Sequence, residues 1–299
     1  IGLVSVQDPA ESGIAGWLLK KTQGVKLHIQ IHADFFSPFF RENSWKEYVR
    51  YLVAKFILSR GDKFRVVSKR IADSLNSKFQ IPNSKITVLP IFVDRKRIAK
   101  AGPSFDIRQK YPQFDFIILM VSRLVREKNI SLALDAFVEF AKEFPKSGLV
   151  IVGDGPERKS LGFRVSGLGI ADCVRFEGWQ SDLVSYYKTA DLYLLTSNFE
   201  GYGRTVVEAA AAGCPIIMTD VGVAGEIIIE GKSGKTVSVG SMSELLNALR
   251  WARQNYKLIR QMAETAQAAA LDLPPKDWSE YLQMYGQSFI VKDEVSKYK

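Results

Sequence analysis

The stretch Leu192-Tyr193-Leu194-Leu195-Thr196-Ser197-Asn198-Phe199-Glu200-Gly201-Tyr202-Gly203-Arg204-Thr205-Val206-Val207-Glu208-Ala209-Ala210-Ala211-Ala212 decides the fold. It opens on a short apolar run that reads as a buried strand. It closes on an alanine-rich run that favours helix. The Gly-x-Gly between them marks a turn. Glu200 therefore lies on a strand-to-helix loop, and Glu208 about one turn into the helix. The glycines let backbone N–H groups approach a ligand, and a helix N-terminus favours anionic groups. Two carboxylates beside an anion site suit a ligand with both hydroxyls and phosphate, such as a nucleotide sugar. On spacing alone, a surface loop with solvated glutamates fits equally well.

The same strand-then-helix rhythm runs through the chain. Apolar runs predict strands over 2–6, 26–32, 64–67, 86–89, 116–121, 148–152, 174–177, 192–195, 215–219 and 234–237. Helical patterns fall between them, at 130–143, 156–168, 181–189, 205–212 and 243–254, with a last one at 278–285. Such alternation predicts an α/β fold with parallel sheets. The uninterrupted FIILMV at 116–121 suits a strand buried on both faces. A polar stretch over 94–112 reads as a boundary. The expected organisation is a domain over 1–98, a second over 99–275, and a C-terminal helical segment over 276–299 packing back toward the first.

Composition restricts the function classes. The 299 residues are 46% apolar and 24% charged, values normal for a soluble globular protein of two domains. No apolar run approaches the roughly 20 residues of a spanning helix. No signal peptide is recognisable, and the opening Ile1-Gly2-Leu3-Val4-Ser5-Val6 reads as a strand already inside a fold, so an incomplete first domain is expected. Cys173 and Cys214 form neither a disulfide framework nor a metal-ligand pattern, which suits a reducing cytoplasm. The net charge of +9 is concentrated: residues 41–70 hold nine basic residues against three acidic ones, a net of +6. Trp45, Tyr48, Val49, Leu52, Val53, Phe56 and Ile57 interleave at helical spacing, giving one apolar and one basic face. The favoured reading is a core helix with a solvated basic face. An anionic membrane surface is the alternative, supported by Phe35, Phe36, Phe39 and Phe40. No nucleic-acid-binding signature accompanies the basic residues.

Further motifs sit at expected strand ends. Arg123 and Lys128 follow the strand at 116–121, where two cations can neutralise a diphosphate. Gly153-Asp154-Gly155-Pro156 follows the strand at 148–152, with the glycines permitting a tight turn and Pro156 suiting a first helical position. No G-x-G-x-x-G follows any strand, which excludes the dinucleotide fingerprint. No Asp-x-Asp exists to hold a divalent cation on a diphosphate. Of the two histidines, His28 lies inside a strand and reads as a core residue, whereas His32 ends that strand. A buried structural role for His32 stays open.

Taken in order, several segments resemble the retaining GT-B glycosyltransferases of family 4 (glycosyl transferases group 1). They are Ser122-Arg123-Leu124 with Lys128, Val152-Gly153-Asp154-Gly155-Pro156, Val174-Arg175-Phe176-Glu177-Gly178, Tyr187-Lys188-Thr189-Ala190-Asp191, Glu200-Gly201-Tyr202-Gly203 with Glu208-Ala209, Gly213-Cys214-Pro215, and Gly222-Val223-Ala224-Gly225-Glu226. The match is strong over 116–239 and fainter over 1–98. The resemblance implies two Rossmann-like domains with parallel sheets facing a cleft, and a hexosyltransferase-type activity. The donor would be UDP- or GDP-linked, and the acceptor a glycan or a lipid-linked molecule. Neither metal nor cofactor would be required. Arg123 and Lys128 would bind the donor diphosphate. Glu200 with Gly201, Tyr202 and Gly203 would hold the sugar, and Glu208 the ribose. His32 would approach the transferred sugar as a second catalytic group beside Glu200. Gly153, Gly155, Phe176, Gly178 and Thr205 would line the nucleotide. The setting would be cytoplasmic, with the inner face of the plasma membrane as a peripheral site. Departures from the family pattern are Ser122 for a glycine, Ile91-Phe92 for Asn-Gly, and Arg204 for an apolar residue. A sugar-nucleotide epimerase of the same architecture and a non-catalytic nucleotide-binding fragment remain the alternatives.

Overall fold

The computed structural model describes residues 2–290. The chain divides into two compact units. One holds residues up to Phe92, the short segment Phe199–Tyr202, and the chain from Pro274 onward; the other holds Val93–Asn198 and Gly203–Leu273. Residues 291–299, the end of the expected C-terminal segment, lie outside the described residues.

The first unit contains, in order, β1 (Leu3–Val6), α1 (Glu11–Gln23), β2 (Lys26–Ile31), α2 (Pro38–Asn43), α3 (Trp45–Leu58), β3 (Lys63–Val66), α4 (Lys69–Phe79) and β4 (Ile86–Val88). Its sheet is parallel, in the order β1-β2-β3-β4. Side chains alternate between the two faces of a strand. In β2 that alternation sends Leu27, Ile29 and Ile31 to one face and His28 and Gln30 to the other, and all five are buried. In register, Ser5 stands beside His28, and Gln30 beside Arg65. The second face is thus polar yet buried, so each group requires a partner.

The partners come from the far end of the chain. Arg65 donates to Gln30 Oε1 at 2.6 Å and to the Tyr281 hydroxyl at 3.0 Å. Gln30 Nε2 donates to the Tyr285 hydroxyl at 2.9 Å and to Ser5 Oγ at 3.1 Å. Ser5 Oγ also lies 2.9 Å from His28 Nδ1. Trp278, Tyr281 and Tyr285 stack along one side of the last helix, and Phe289 stands edge-on to Tyr285. Phe92 packs on Trp278 and Tyr281.

The second unit contains α5 (Arg95–Lys100), α6 (Ile107–Lys110), β5 (Phe116–Val121), α7 (Ile130–Glu143), β6 (Ser147–Val152), α8 (Arg158–Gly167), β7 (Val174–Gly178), α9 (Leu183–Thr189), β8 (Leu192–Leu195), α10 (Arg204–Ala211), β9 (Ile216–Thr219), β10 (Lys235–Val237), α11 (Met242–Gln254) and α12 (Tyr256–Asp272). The last helix, α13 (Trp278–Gln287), returns to the first unit. All six residues of β5 are buried, as an apolar run covered by helices on both faces demands. The parallel sheet runs β10-β9-β8-β5-β6-β7. Chain order therefore proceeds to one side from β5 through β7, then restarts on its other side at β8. That reversal between β5 and β8 is the topological switch point beside which ligands of open α/β sheets bind.

The stretch over 94–112 forms α5 and α6, capped by Asp94 and Asp106 side chains that accept from Arg97 and Arg108 amides, and the division between the units falls just ahead of it, between Phe92 and Val93. Three expectations are corrected. Pro156 sits in a turn ahead of α8, whose cap is Glu157, because the loop still has to place its amide at Glu157 on the Leu124 carbonyl. In α3 the apolar residues do not form a core face. Only Ala54, Ile57 and Leu58 are buried there, while Trp45, Tyr48, Val49, Leu52 and Phe56 are exposed. Conversely Phe35, Phe36 and Phe40 are buried, with Phe35 packed on Phe40, Phe36 on Phe79 and Phe40 on Phe199, so only Phe39 of that quartet faces solvent. No helix among the described residues is long and apolar enough to cross a membrane.

His28 provides a test of the buried polar face. Burial, then the charges of Arg65 and Lys63, lower its pKa from 6.5 to about 4. The folded state thus binds fewer protons than the unfolded one between these values, so stability falls as pH drops through that window. From pH 7 to pH 5 the expected loss is about 2 kcal/mol. Urea unfolding at the two pH values should show this loss in the native protein. His28→Asn, which cannot titrate, should lose about 2 kcal/mol less over the same interval. Equal losses would refute the assignment.

Candidate functional site

Loops at the carboxyl ends of β5, β6, β7 and β8 are stitched together by their own backbone. The Leu124 amide donates to the Asp154 carbonyl at 2.9 Å, and the Gly153 amide to the Gly178 carbonyl at 2.7 Å. The Asn198 amide donates to the Glu127 carbonyl at 2.8 Å. Thr196 Oγ1 reaches the carbonyls of Lys128 and Asn129, each at 3.0 Å, and Asn129 Nδ2 reaches Asn198 Oδ1 at 2.9 Å. The loop carrying Lys128 and the loop leading to Glu200 are thereby fixed to one another at their bases. Gly153 has a φ of +126°, and a Cβ there would stand 1.9 Å from the Ser122 carbonyl oxygen. Only glycine allows the β6 loop to pass so close to the end of β5.

A pocket of about 260 Å³ opens over these loops, lined by Arg123, Gly153, Asp154, Gln180, Thr205 and Trp179 among others. Ser122 also lines it, and its Oγ is buried without a hydrogen-bond partner among the described residues. An orphan hydroxyl of this kind suits a ligand's polar group. Arg123 is largely exposed on the rim and pairs with Glu127 at 3.3 Å. Thr205 is anchored by the Tyr193 hydroxyl, which donates to its Oγ1 at 2.7 Å. Gly203, with a φ of +89°, caps α10, whose first-turn amides make an anion-binding end.

Glu208 lies on the second turn of α10 and is 7% exposed. Tyr187 donates its hydroxyl to Oε2 at 3.1 Å, and Arg204 Nε donates to Oε1 at 2.8 Å. These bonds fix the carboxylate's orientation, and each oxygen keeps acceptor capacity for a further hydroxyl. Burial and the Glu208 charge raise the Tyr187 pKa well above its ordinary value, so its hydroxyl stays a donor. Arg204, an apolar position in the family pattern, is thus engaged with Glu208.

Of the other expected residues, Gly155 packs against Leu124, where a Cβ would meet its carbonyl at 2.4 Å. Phe176 is covered by the Arg158 guanidinium at 3.9 Å and Gly178 ends β7. His32 directly follows β2 in the first unit and is half-buried, its Nε2 3.3 Å from Gln7 Oε1. Burial and, secondarily, the Arg65 charge lower its pKa while Asp8 opposes this, which favours the neutral imidazole. Gly201 lies in the same unit; a Cβ on it would stand 2.0 Å from the His32 carbonyl oxygen. Arg123, Gly153 and Thr205 therefore meet in one pocket, and Gly201 meets His32. Sequence reasoning missed Trp179, Gln180 and Ser122. Trp179 is 76% exposed and follows Gly178 at the carboxyl end of β7, the position that had already singled out Arg123 after β5. Among the described residues no group of three or more His, Cys, Asp or Glu is placed to hold a metal ion.

Known proteins resemble this chain in sequence and in fold. Residues 104–269 match the family model for glycosyl transferases group 1, and residues 1–97 that for glycosyltransferase family 4. The chain is 26% identical over 295 residues to the alpha-monoglucosyldiacylglycerol synthase of Acholeplasma laidlawii, covering 89% of this chain and 70% of that protein. It is 26% identical over 263 residues to the N-acetyl-alpha-D-glucosaminyl L-malate synthase of Bacillus anthracis, covering 87% and 67%. The crystal structure of Anabaena Alr3699/HepE in complex with UDP and glucose superposes with a TM-score of 0.77 at 22% identity, covering 98% of this chain and 77% of that one. At that identity the likeness is one of fold: two parallel sheets of the GT-B type. The first family model spans more than half of the sequence and contains the whole pocket, so the chain belongs to the glycosyl transferases group 1 family.

Proposed function

We propose that the protein is a retaining, metal-independent glycosyltransferase that moves a sugar from a UDP- or GDP-linked donor to a glycan or lipid-linked acceptor. The observation that carries this reading is the pocket at the switch point of the second sheet, with Arg123 on its rim and an orphan Ser122 hydroxyl within. The UDP bound by Anabaena Alr3699/HepE and the glycolipid product named for the Acholeplasma relative support the donor and acceptor classes.

In this proposal Arg123 and Lys128 neutralise the diphosphate as it leaves, the task a divalent cation performs elsewhere. The amides at the start of α10 add to that field. Trp179 offers a flat apolar surface to the base, and Glu208, held by Tyr187 and Arg204, accepts from the ribose hydroxyls. Glu200 accepts from hydroxyls of the transferred sugar, and neutral His32 contributes a hydrogen bond rather than a charge. Retention follows from attack on the face the diphosphate leaves, with a donor phosphate oxygen taking the acceptor proton. No protein carboxylate then has to act as nucleophile.

Each role has its own readout. Calorimetry with UDP and GDP identifies the preferred nucleotide. Arg123→Ala should weaken its binding by about tenfold or more, as loss of a charge-assisted contact requires; unchanged affinity would remove Arg123 from the phosphate site. Glu208→Gln should weaken the nucleoside diphosphate by roughly tenfold while leaving inorganic diphosphate unaffected. An equal loss for both would place Glu208 away from the ribose. Glu200→Gln should lower nucleotide release from UDP-glucose or GDP-mannose by on the order of 100-fold, with nucleotide affinity held within about threefold. Full turnover in that variant would rule out sugar positioning by Glu200.

A further inference from the structure

Glu200 stands between two residues that are seated on one segment of the first unit. Phe199–Tyr202 belong to that unit, although the loop that carries them begins and ends in the second. The second unit holds the loop as far as Asn198, whose amide donates to the Glu127 carbonyl, and resumes at Gly203, which caps α10. In between, Phe199 stands edge-on to Phe40, with ring centroids 5.3 Å apart and planes at 71°. Gly201 lies so close to the end of β2 that a Cβ on it would meet the His32 carbonyl oxygen at 2.0 Å and the Ala33 Cα at 3.2 Å. Tyr202 is buried. One contact precedes Glu200 by a residue and the other follows it by a residue. Both fall on the segment from His32 to Phe40.

That segment is tightly bonded. Asp34 Oδ1 accepts from the amides of Phe36 and Ser37, each at 3.1 Å, and the Phe35 amide donates to the Ala33 carbonyl at 3.0 Å. Lys78 of α4 donates to the Phe36 carbonyl at 3.1 Å. Phe40 is buried with its ring centroid 4.7 Å from that of Phe35, and the Arg50 guanidinium lies over both rings. Phe199 thus rests on a fixed aromatic platform, and edge-to-face packing sets the orientation of a ring as well as burying it. Consecutive Cα atoms are about 3.8 Å apart. With Phe199 and Gly201 both seated, the backbone of Glu200 has no room to shift by itself, and only its side-chain torsions stay adjustable. His32 begins the same segment. The carboxylate is therefore tied to the element that carries the imidazole, rather than to β8, whose loop it extends.

We propose that Phe199 is a positioning residue for sugar transfer: its ring, seated on Phe40, fixes Glu200 with respect to His32 and so sets where the hydroxyls of the transferred sugar are held. The inference rests on the reading of Glu200 as the group that holds that sugar. The test is a double-mutant cycle on the full chain, following nucleotide release from UDP-glucose and GDP-mannose, with calorimetry on UDP and GDP beside it. Phe199→Ala should lower kcat by roughly 10- to 100-fold, the scale that a misplacement of about 1 Å carries. Affinity for the nucleoside diphosphate should stay within about threefold, because Arg123 and Thr205 are untouched. Phe199→Tyr keeps the ring and should restore most of the native rate. In the Glu200→Gln background, Phe199→Ala should cost less than about threefold more, since the group it positions has already lost its function. If Phe199→Ala lowers the melting temperature too far for assay, Phe199→Leu, which keeps apolar bulk without the ring, carries the same expectations. A native kcat in these variants, or losses that multiply in the cycle, would overturn the proposal and leave the role of Glu200 intact. Full turnover by Glu200→Gln alone would instead remove the sugar-holding reading, and the inference with it.

Discussion

The second unit depends on the burial of β5. Six successive apolar side chains leave no face for water, so the strand must be flanked by parallel neighbours and covered by helices on both sides. Each fully buried side chain of this size contributes about 1.5–3 kcal/mol, and the helices that provide the cover require crossovers in opposite directions. The chain then has to leave β5 one way and return on its other side at β8. The loops that end those two strands are pinned together at their bases, through Asn198 to Glu127 and Thr196 to Lys128 and Asn129. The pocket with Arg123 on its rim opens over the ends of β5, β6 and β7 and reaches Thr205 at the start of α10.

Once the gap exists, its chemistry follows from what each loop can bring within reach. Gly153 lets the β6 loop pass beneath the end of β5, which opens room for Arg123 to stand at the rim. Tyr193 on β8 fixes Thr205 at the start of α10, and Tyr187 on α9 fixes Glu208 one turn later. A rigid sheet thus carries adjustable groups on loops and helix starts.

Much of this was legible in the sequence because the signals are local. All ten strands lie within a residue or two of where apolar runs place them, and α7 has the predicted bounds. The strand-turn-helix around Glu200 and Glu208 was equally readable, since glycines and an alanine-rich run announce it. What escaped depends on partners far along the chain. The short strand β2 does not reveal that Gln30 bonds a helix residue 255 positions further along. The α3 pattern is the instructive case. Periodicity shows that one side of a helix is apolar, but it does not say which medium that side meets. The buried residues there are small or few, and the large ones point away from the sheet.

The return of α13 to the first unit bears on how the protein is made. A nascent chain emerges from the N-terminus and folds domain by domain as it lengthens. Here the polar face of the first sheet, with Arg65 at its centre, finds Tyr281 and Tyr285 only after the whole of the second unit has been synthesised. Until then the first unit holds its sheet half-clothed, while the second, continuous apart from a four-residue excursion, can close ahead of it. The order of maturation is thereby reversed relative to the order of synthesis, and the unit translated first is the last to be completed.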